Sequence, residues 1–169
     1  MSTSTQEHRD AAPSALNFAV ITVSDTRTLE TDKSGQLIVH SMQEGGYQLT
    51  ERVIVRDEPE QIRGAVEQFG TDETLDVILL TGGTGISPRD QTPEAVVPLL
   101  DMEIPGFGEM FRWLSYEEIG PATMLSRAVA GRMGRILVFC LPGSSNAVRL
   151  AMEKLLVPEL PHLVHHSRG

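Results

Sequence analysis

Leu79-Leu-Thr-Gly-Gly-Thr-Gly-Ile-Ser-Pro-Arg-Asp-Gln-Thr-Pro-Glu94 is the stretch on which the reading of this chain turns. It continues an apolar run, residues 77–80, that reads as a buried strand. The run passes into Thr81-Gly-Gly-Thr-Gly85, where glycine occupies three of the last four positions. Glycine tolerates positive φ and lets a ligand approach the backbone closely. The stretch ends at Thr92-Pro-Glu94, which reads as a helix start: a hydroxyl at the cap, Pro in the first turn, then an acid. Strand, glycine turn and helix is how α/β proteins hold phosphate on backbone N–H groups. Arg89 and Asp90 lie between turn and helix, a cation for phosphate and a carboxylate for Mg²⁺ or a proton. No Gly-Lys-Ser/Thr follows, so this is not a Walker A loop. Pro88 stands where a dinucleotide fingerprint needs its third glycine. Without a ligand, the same residues would make a tight strand-to-loop turn.

The bulk properties narrow the classes. The 169 residues suffice for one domain with a real core, and 40% hydrophobic with 22% charged residues predicts a soluble globular chain. A net charge of −9 without a basic tract disfavours nucleic acid as a partner. One cysteine excludes an internal disulfide and suits a reducing compartment. No apolar run reaches the roughly 20 residues of a spanning helix, and no basic start precedes an apolar segment at the N-terminus. The expectation is a cytoplasmic protein with no membrane partner.

Outward from the glycine stretch the same unit repeats. Residues 1–14 are polar and predict a flexible tail; residues 15–169 predict a single domain. Residues 16–23 form a strand ending in Ser24-Asp25-Thr26-Arg27, either lining a site or making an Asx turn. A helix capped by Asp32 or Ser34 follows, to about Glu44, stopped by Gly45-Gly46. Residues 47–55 are a second strand. Asp57 then either caps the helix opened by Pro59 or serves a site.

Beyond the central stretch, Pro98 predicts a short or kinked helix over 93–100. Pro105-Gly106 reads as a turn, and Gly108-Glu109 as the opening of a helix that carries Met110, Phe111, Trp113 and Leu114. Glu109 and Arg112 could form a local i, i+3 pair. After Gly120-Pro121 the spacing of Met124, Leu125, Ala128 and Val129 predicts a further helix, ended by Gly131. Residues 136–141 are another buried strand, with Cys140 a core residue rather than a nucleophile. It runs into Pro142-Gly143-Ser144-Ser145-Asn146 and a helix, a second anion-friendly turn. A terminal helix is expected over 158–164, with His162, His165 and His166 on the surface. The predicted fold is therefore α/β: a three-layer sandwich, mostly parallel sheet with helices on both faces. Parallel strands would gather Ser24-Asp25, Asp57, the Gly82 turn and Gly143-Ser144 on one edge, fitting a nucleotide beside a second phosphorylated ligand.

Thr81-Gly-Gly-Thr-Gly85, Arg89-Asp90, Thr92-Pro-Glu-Ala95, Pro105-Gly-Phe-Gly-Glu109, Ser126-Arg-Ala128 and Leu141-Pro-Gly143 together resemble the MoaB/MogA family of molybdenum cofactor biosynthesis proteins. The likeness runs from about Phe18 to Val164. Ser24-Asp-Thr-Arg27, Asp32-Lys-Ser-Gly35 and Pro158-Glu-Leu-Pro-His-Leu163 are closer to the MoaB branch. The resemblance implies a MogA-like fold assembled as a trimer or a hexamer, and Mg²⁺-dependent adenylylation of molybdopterin by ATP with release of pyrophosphate. It implies that Asp57 and Asp90 are catalytic, with Asp90 on the metal. Thr81, Gly82, Gly83, Thr84 and Gly85 would hold the nucleotide. Ser24, Asp25, Gly143, Ser144 and Asn146 would line the molybdopterin side. Arg27, Glu109, Ser126 and Arg127 match motif positions without a defined role. The alternative is a non-catalytic molybdopterin- or nucleotide-binding module, or a scaffold that meets other proteins of the pathway.

Overall fold

A computed structural model describes residues 15–168; the expected tail over 1–14 lies outside the described residues. Three apolar runs form the centre of one sheet: β1 (Asn17–Val23), β3 (Val77–Thr81) and β6 (Ile136–Leu141), joined at the edge by β2 (Gln48–Val55). The order is β2-β1-β3-β6-β5-β4, with the first four strands mutually parallel. Both faces of the central strands are covered, which is why they read as continuous apolar runs rather than alternating ones. Alternate residues serve opposite cores. Phe18, Val20, Leu79, Phe139 and Leu141 face one core; Ile21, Ile78, Leu80, Val138 and Cys140 face the other.

The first core is closed by α1 (Lys33–Glu44), α4 (Pro105–Ile119), α5 (Ser145–Ala151) and α6 (Val157–Arg168). Phe107 of α4 meets Phe139 edge-on at 5.3 Å, a geometry that suits the ring quadrupoles. The second core is closed by α2 (Pro59–Gly70), through Ile62, Val66 and Phe69, and by the short α3 (Thr92–Val96), through Ala95 and Val96. Since α1 covers one face and α3 the other, the connections leaving β1 and β3 diverge. A crevice opens at the carboxyl ends of those strands, the usual ligand position in open α/β sheets. At the opposite end, Asp76 accepts from the Asn17 N–H at 2.8 Å and from Arg168, fastening the last helix to the sheet.

Several expectations need correction. The helix expected around Met124–Val129 does not form. Residues Gly120–Leu125 make a 3₁₀ turn, and β5 (Val129–Met133) follows as a strand antiparallel to β6. The two-residue β4 (Met102–Glu103) pairs with β5 in turn, so the sheet is mixed at this edge. The α4 helix begins at Pro105, not Gly108, since Pro suits a first-turn position where no N–H is needed. Thr92 is the first residue of α3 rather than its cap, and its hydroxyl donates to the Gly82 carbonyl at 2.8 Å. Pro98 has the expected effect, and the helix tightens to a 3₁₀ turn over Val97–Leu99. Residues 145–168 are helical throughout, with a π segment at Met152–Leu156 just ahead of Pro158. His162 and His165 are half-buried rather than at the surface, and the His162 ring approaches the Glu159 carboxylate.

Candidate functional site

The glycine turn after β3 requires glycine twice. Gly82 has φ +104, and a Cβ there would collide with the Val23 carbonyl; Gly83 has φ +63, and a Cβ would meet Thr92 Oγ1 and stand 3.1 Å from Asp57 Oδ1. The turn is tied to its neighbours. The Gly82 N–H donates to the Leu141 carbonyl at 3.1 Å, and the Thr81 hydroxyl donates to the Pro142 carbonyl at 2.9 Å. A Cβ on Gly143 would come within 3.3 Å of Gly82 Cα, so the two turns touch.

Two clefts meet at this junction, both lined by Gly143 and Ser144. The first, of about 310 Å³, is polar and lies between Ser24, Arg27, Lys33, Ser34 and the Gly82 turn. The start of α1 forms one wall. Asp32, 2% exposed, caps that helix by accepting from the Gly35 N–H at 2.9 Å. Its other oxygen accepts from the Thr22 hydroxyl at 2.6 Å and from Arg52 at 2.7 Å. Burial alone would raise the Asp32 pKa, but these donors together hold it below the ordinary value. The Ser34 hydroxyl donates to the Gly143 carbonyl at 2.7 Å, joining the wall to the second turn. The second cleft, of about 370 Å³, runs from Gly83, Thr84 and Asp90 to an apolar wall that includes Phe111, Ile119 and Leu125.

Behind Gly83 sits Asp57. It is not a helix cap, because Glu58 occupies that position without a side-chain bond. Its Oδ1 is buried without a hydrogen-bond partner. Burial first, and then the charge of Asp90, push its pKa up; the Gln91 backbone N–H, Arg89 and lastly Asp25 modify the shift, the first two downward and Asp25 upward. An orphaned carboxylate oxygen facing a second carboxylate is an arrangement that a divalent cation relieves. Among the described residues no group of three metal-ligating side chains occurs. One or two carboxylates completed by substrate phosphates is the usual set for Mg²⁺, so the pair fits that ion only together with a phosphorylated ligand.

The remaining candidates are divided. Asp90 lines the second cleft, and its Oδ2 accepts from the Ser87 N–H at 2.9 Å. Arg89 pairs with Asp25 and with Glu58 at 3.2 Å instead of standing free for phosphate. Asp25 thus lies with the carboxylates, where its Oδ1 also accepts the Asp57 N–H at 3.3 Å. Ser24 Oγ accepts from the Thr26 and Arg27 N–H groups, each at 3.2 Å, so the turn and the cleft wall are the same residues. Asn146 is exposed on the first turn of α5 and lines neither cleft. Glu109 lines a different groove with Glu103, Arg112 and Met124. Ser126 lines both that groove and the second cleft, and its buried hydroxyl has no partner. Lys33 and Ser34 join the site by folding. Their signal was the cap Asp32 beyond a strand end. Cys140 is fully buried, which pushes its thiol pKa up and removes it as a nucleophile.

Fold and site define an α/β protein with paired clefts at the carboxyl edge of a doubly wound sheet. The chain belongs to the MoaB/MogA family: the family described as "Probable molybdopterin binding domain" matches residues 19–162. It is 53% identical to the molybdenum cofactor biosynthesis protein B of Bacillus cereus over 161 residues, 95% of each chain. It is 51% identical to the protein of that name from Bacillus subtilis, over 98% of each. Among solved structures, the tungsten cofactor synthesizing protein MoaB of Pyrococcus furiosus superposes with a TM-score of 0.84 at 40% identity, covering 94% of this chain and 100% of that one. A MogA structure superposes at 0.82 with 32% identity, covering 89% and 99%.

Proposed function

We propose that this protein acts in molybdenum cofactor biosynthesis by adenylylating molybdopterin with ATP. The observation that carries the reading is the junction of the two clefts at Gly82-Gly83 and Gly143-Ser144, with the Asp57–Asp90 pair beside it. The polar cleft, with Arg27, Lys33 and the Ser24 and Ser144 turns, takes the phosphate of molybdopterin. The second cleft takes the nucleotide: backbone N–H groups of the glycine turn meet phosphates, and the apolar wall at Phe111 covers the nucleoside. A molybdopterin phosphate oxygen attacks the α-phosphorus of ATP, the P–O bond toward the β-phosphate breaks, and pyrophosphate leaves. The protein's contribution is in-line positioning and a fixed set of charges. Asp90 and Asp57, together with the phosphates, would hold Mg²⁺, which would supply neutralisation of the charge on the leaving pyrophosphate. We also assign self-association, as a trimer or hexamer, to the exposed apolar face of α4.

Formation of adenylyl-molybdopterin from ATP and molybdopterin tests the reading. Asp57→Asn and Asp90→Asn should each lower turnover by about 100-fold or more, as loss of a transition-state charge contact does. Wild-type rates in both variants would remove the carboxylates from the mechanism. Tight molybdopterin binding by the wild type without any product would instead support a binding module. The pairing of Arg89 with Asp25 and Glu58 favours that second reading, since it withholds a cation from the glycine turn.

A further inference from the structure

We propose that Arg127 is a positioning residue that sets the placement of Asp90 by clamping the glycine loop from outside. This rests on the adenylyl-transfer reading for its consequence, though not for its geometry. Arg127 satisfies three backbone carbonyls of one loop. Its N–H donates to Thr84 at 3.1 Å, its Nε to Gly85 at 2.7 Å, and its Nη2 to Asp90. Its Nη1 pairs with Glu94 on the helix beyond. Between these anchors the loop is exposed over 86–89. Its internal closure is small: the Asp90 N–H donates to the Ser87 carbonyl and the Ser87 N–H to Asp90 Oδ2, each at 2.9 Å. That turn uses Asp90 Oδ2. Holding the Asp90 carbonyl by Arg127 and Oδ2 by Ser87 fixes the residue at both ends, so the direction of Oδ1 is set without a contact to it.

The chemistry needs arginine. The three side-chain acceptors are served by separate N–H groups of one planar guanidinium; a lysine ammonium offers the charge without the fork. The clamp also comes from outside the strand-turn-helix unit. Arg127 lies on the segment between the 3₁₀ turn and β5, so the loop is held against the antiparallel edge of the sheet rather than only by its own ends.

The test compares Arg127→Met, Arg127→Lys and Glu94→Gln with wild type in the full chain. The readouts are adenylyl-molybdopterin formation, molybdopterin affinity, and hydrogen exchange at the Ser87 and Asp90 amides. Misplacement of a catalytic group by about 1 Å costs on the order of 100-fold, so Arg127→Met should lose about that much in kcat. Molybdopterin affinity should stay within about twofold, because the polar cleft does not include Arg127. Exchange at Ser87 should rise about tenfold or more, reporting a local opening. Arg127→Lys should not restore kcat. Glu94→Gln, which keeps the carbonyl contacts, should stay within about threefold of wild type, and Arg127→Lys, read by the same kcat and Ser87 exchange, covers the case in which Arg127→Met fails to fold. Full rescue by lysine, or unchanged kcat and exchange in a folded Arg127→Met, would overturn the proposal. If the wild type makes no product, adenylyl transfer is what fails. Exchange at Ser87 then decides the clamp alone: acceleration in Arg127→Met keeps it, and protection as in wild type ends it.

Discussion

At the residue scale, Asp57 is the most informative side chain. Its charge, its burial and its neighbours can be tested separately. Burial and Asp90 raise its pKa above 3.8, and Arg89 acts the other way. Asp90→Asn should therefore move the Asp57 carboxyl titration to lower pH, and Arg89→Met to higher pH, read by carboxyl NMR. Shifts of the opposite sign would mean that these groups do not face one another. The same raised pKa has a stability consequence with a definite sign. The folded state binds the Asp57 proton more tightly than the unfolded chain. Stability is thus lost as pH rises from the unfolded value through the folded one. Asp57→Asn should be more stable than wild type at neutral pH, and the advantage should vanish below about pH 4. Paired denaturant titrations at the two pH values check this; a variant less stable at neutral pH would contradict it. Sequence position alone left Asp57 open between cap and site. The cap reading fails because Glu58 holds that position, and the carboxylate lies instead against Gly83, a relation across 26 positions that no local pattern carries.

At the scale of the element, the start of α1 shows how a cleft wall is kept in place. Asp32 caps the helix and also neutralises Arg52, whose side chain is 15% exposed. Asp32→Ala removes the cap and strands the guanidinium, so a loss of about 3–5 kcal/mol is expected from equilibrium unfolding. Because the Asp32 pKa is lowered on folding, its stabilisation is present above the unfolded value and disappears as pH falls through the folded one. Gly35→Ala should reach the same network from the other side, since a Cβ there would collide with Asp32 and come within 2.6 Å of Thr22 Oγ1. Overpacking of this kind costs about 1–3 kcal/mol, and a loss near zero would show that α1 can shift freely. The cap was legible because Asp before Lys-Ser-Gly and an apolar helical face is a local signal. The strands of the antiparallel edge, β4 and β5, were not. Val129-Ala-Gly-Arg-Met133 carries apolar residues at spacings that suit a helix equally well, and pairing with β6 decides for the strand. One local signal for that hairpin was present: Gly134, at φ +59, sits in the tight turn between Met133 and Ile136.

At the scale of the whole molecule, the apolar surface is distributed unevenly. On the last helix, Leu160 and Val164 are buried in the first core. Most of the exposed large apolar side chains are on α4 and the following 3₁₀ turn: Trp113 at 62% and Met124 at 76%, with Met110, Tyr116, Ile119 and Leu125, while Leu29, Ile86 and Met102 stand apart from them in the sequence. An apolar face of this kind on a chain of net charge −9 is the exception to its surface, and such patches mark contact surfaces. Among the described residues no helix is long and apolar enough to cross a membrane. The self-association proposed above would cover this patch. Sedimentation of the wild type should show a trimer or hexamer. Trp113→Glu should weaken assembly by about 100-fold or more, the loss that follows when a buried aromatic anchor is replaced. A wild type that remains monomeric at high concentration would remove self-association. Ile119 and Leu125 belong both to this face and to the wall of the second cleft. Assembly at this face would therefore also shelter the nucleotide side, and the Trp113→Glu monomer should have a raised KM for ATP with molybdopterin affinity unchanged. Equal KM values in monomer and oligomer would separate assembly from the cleft.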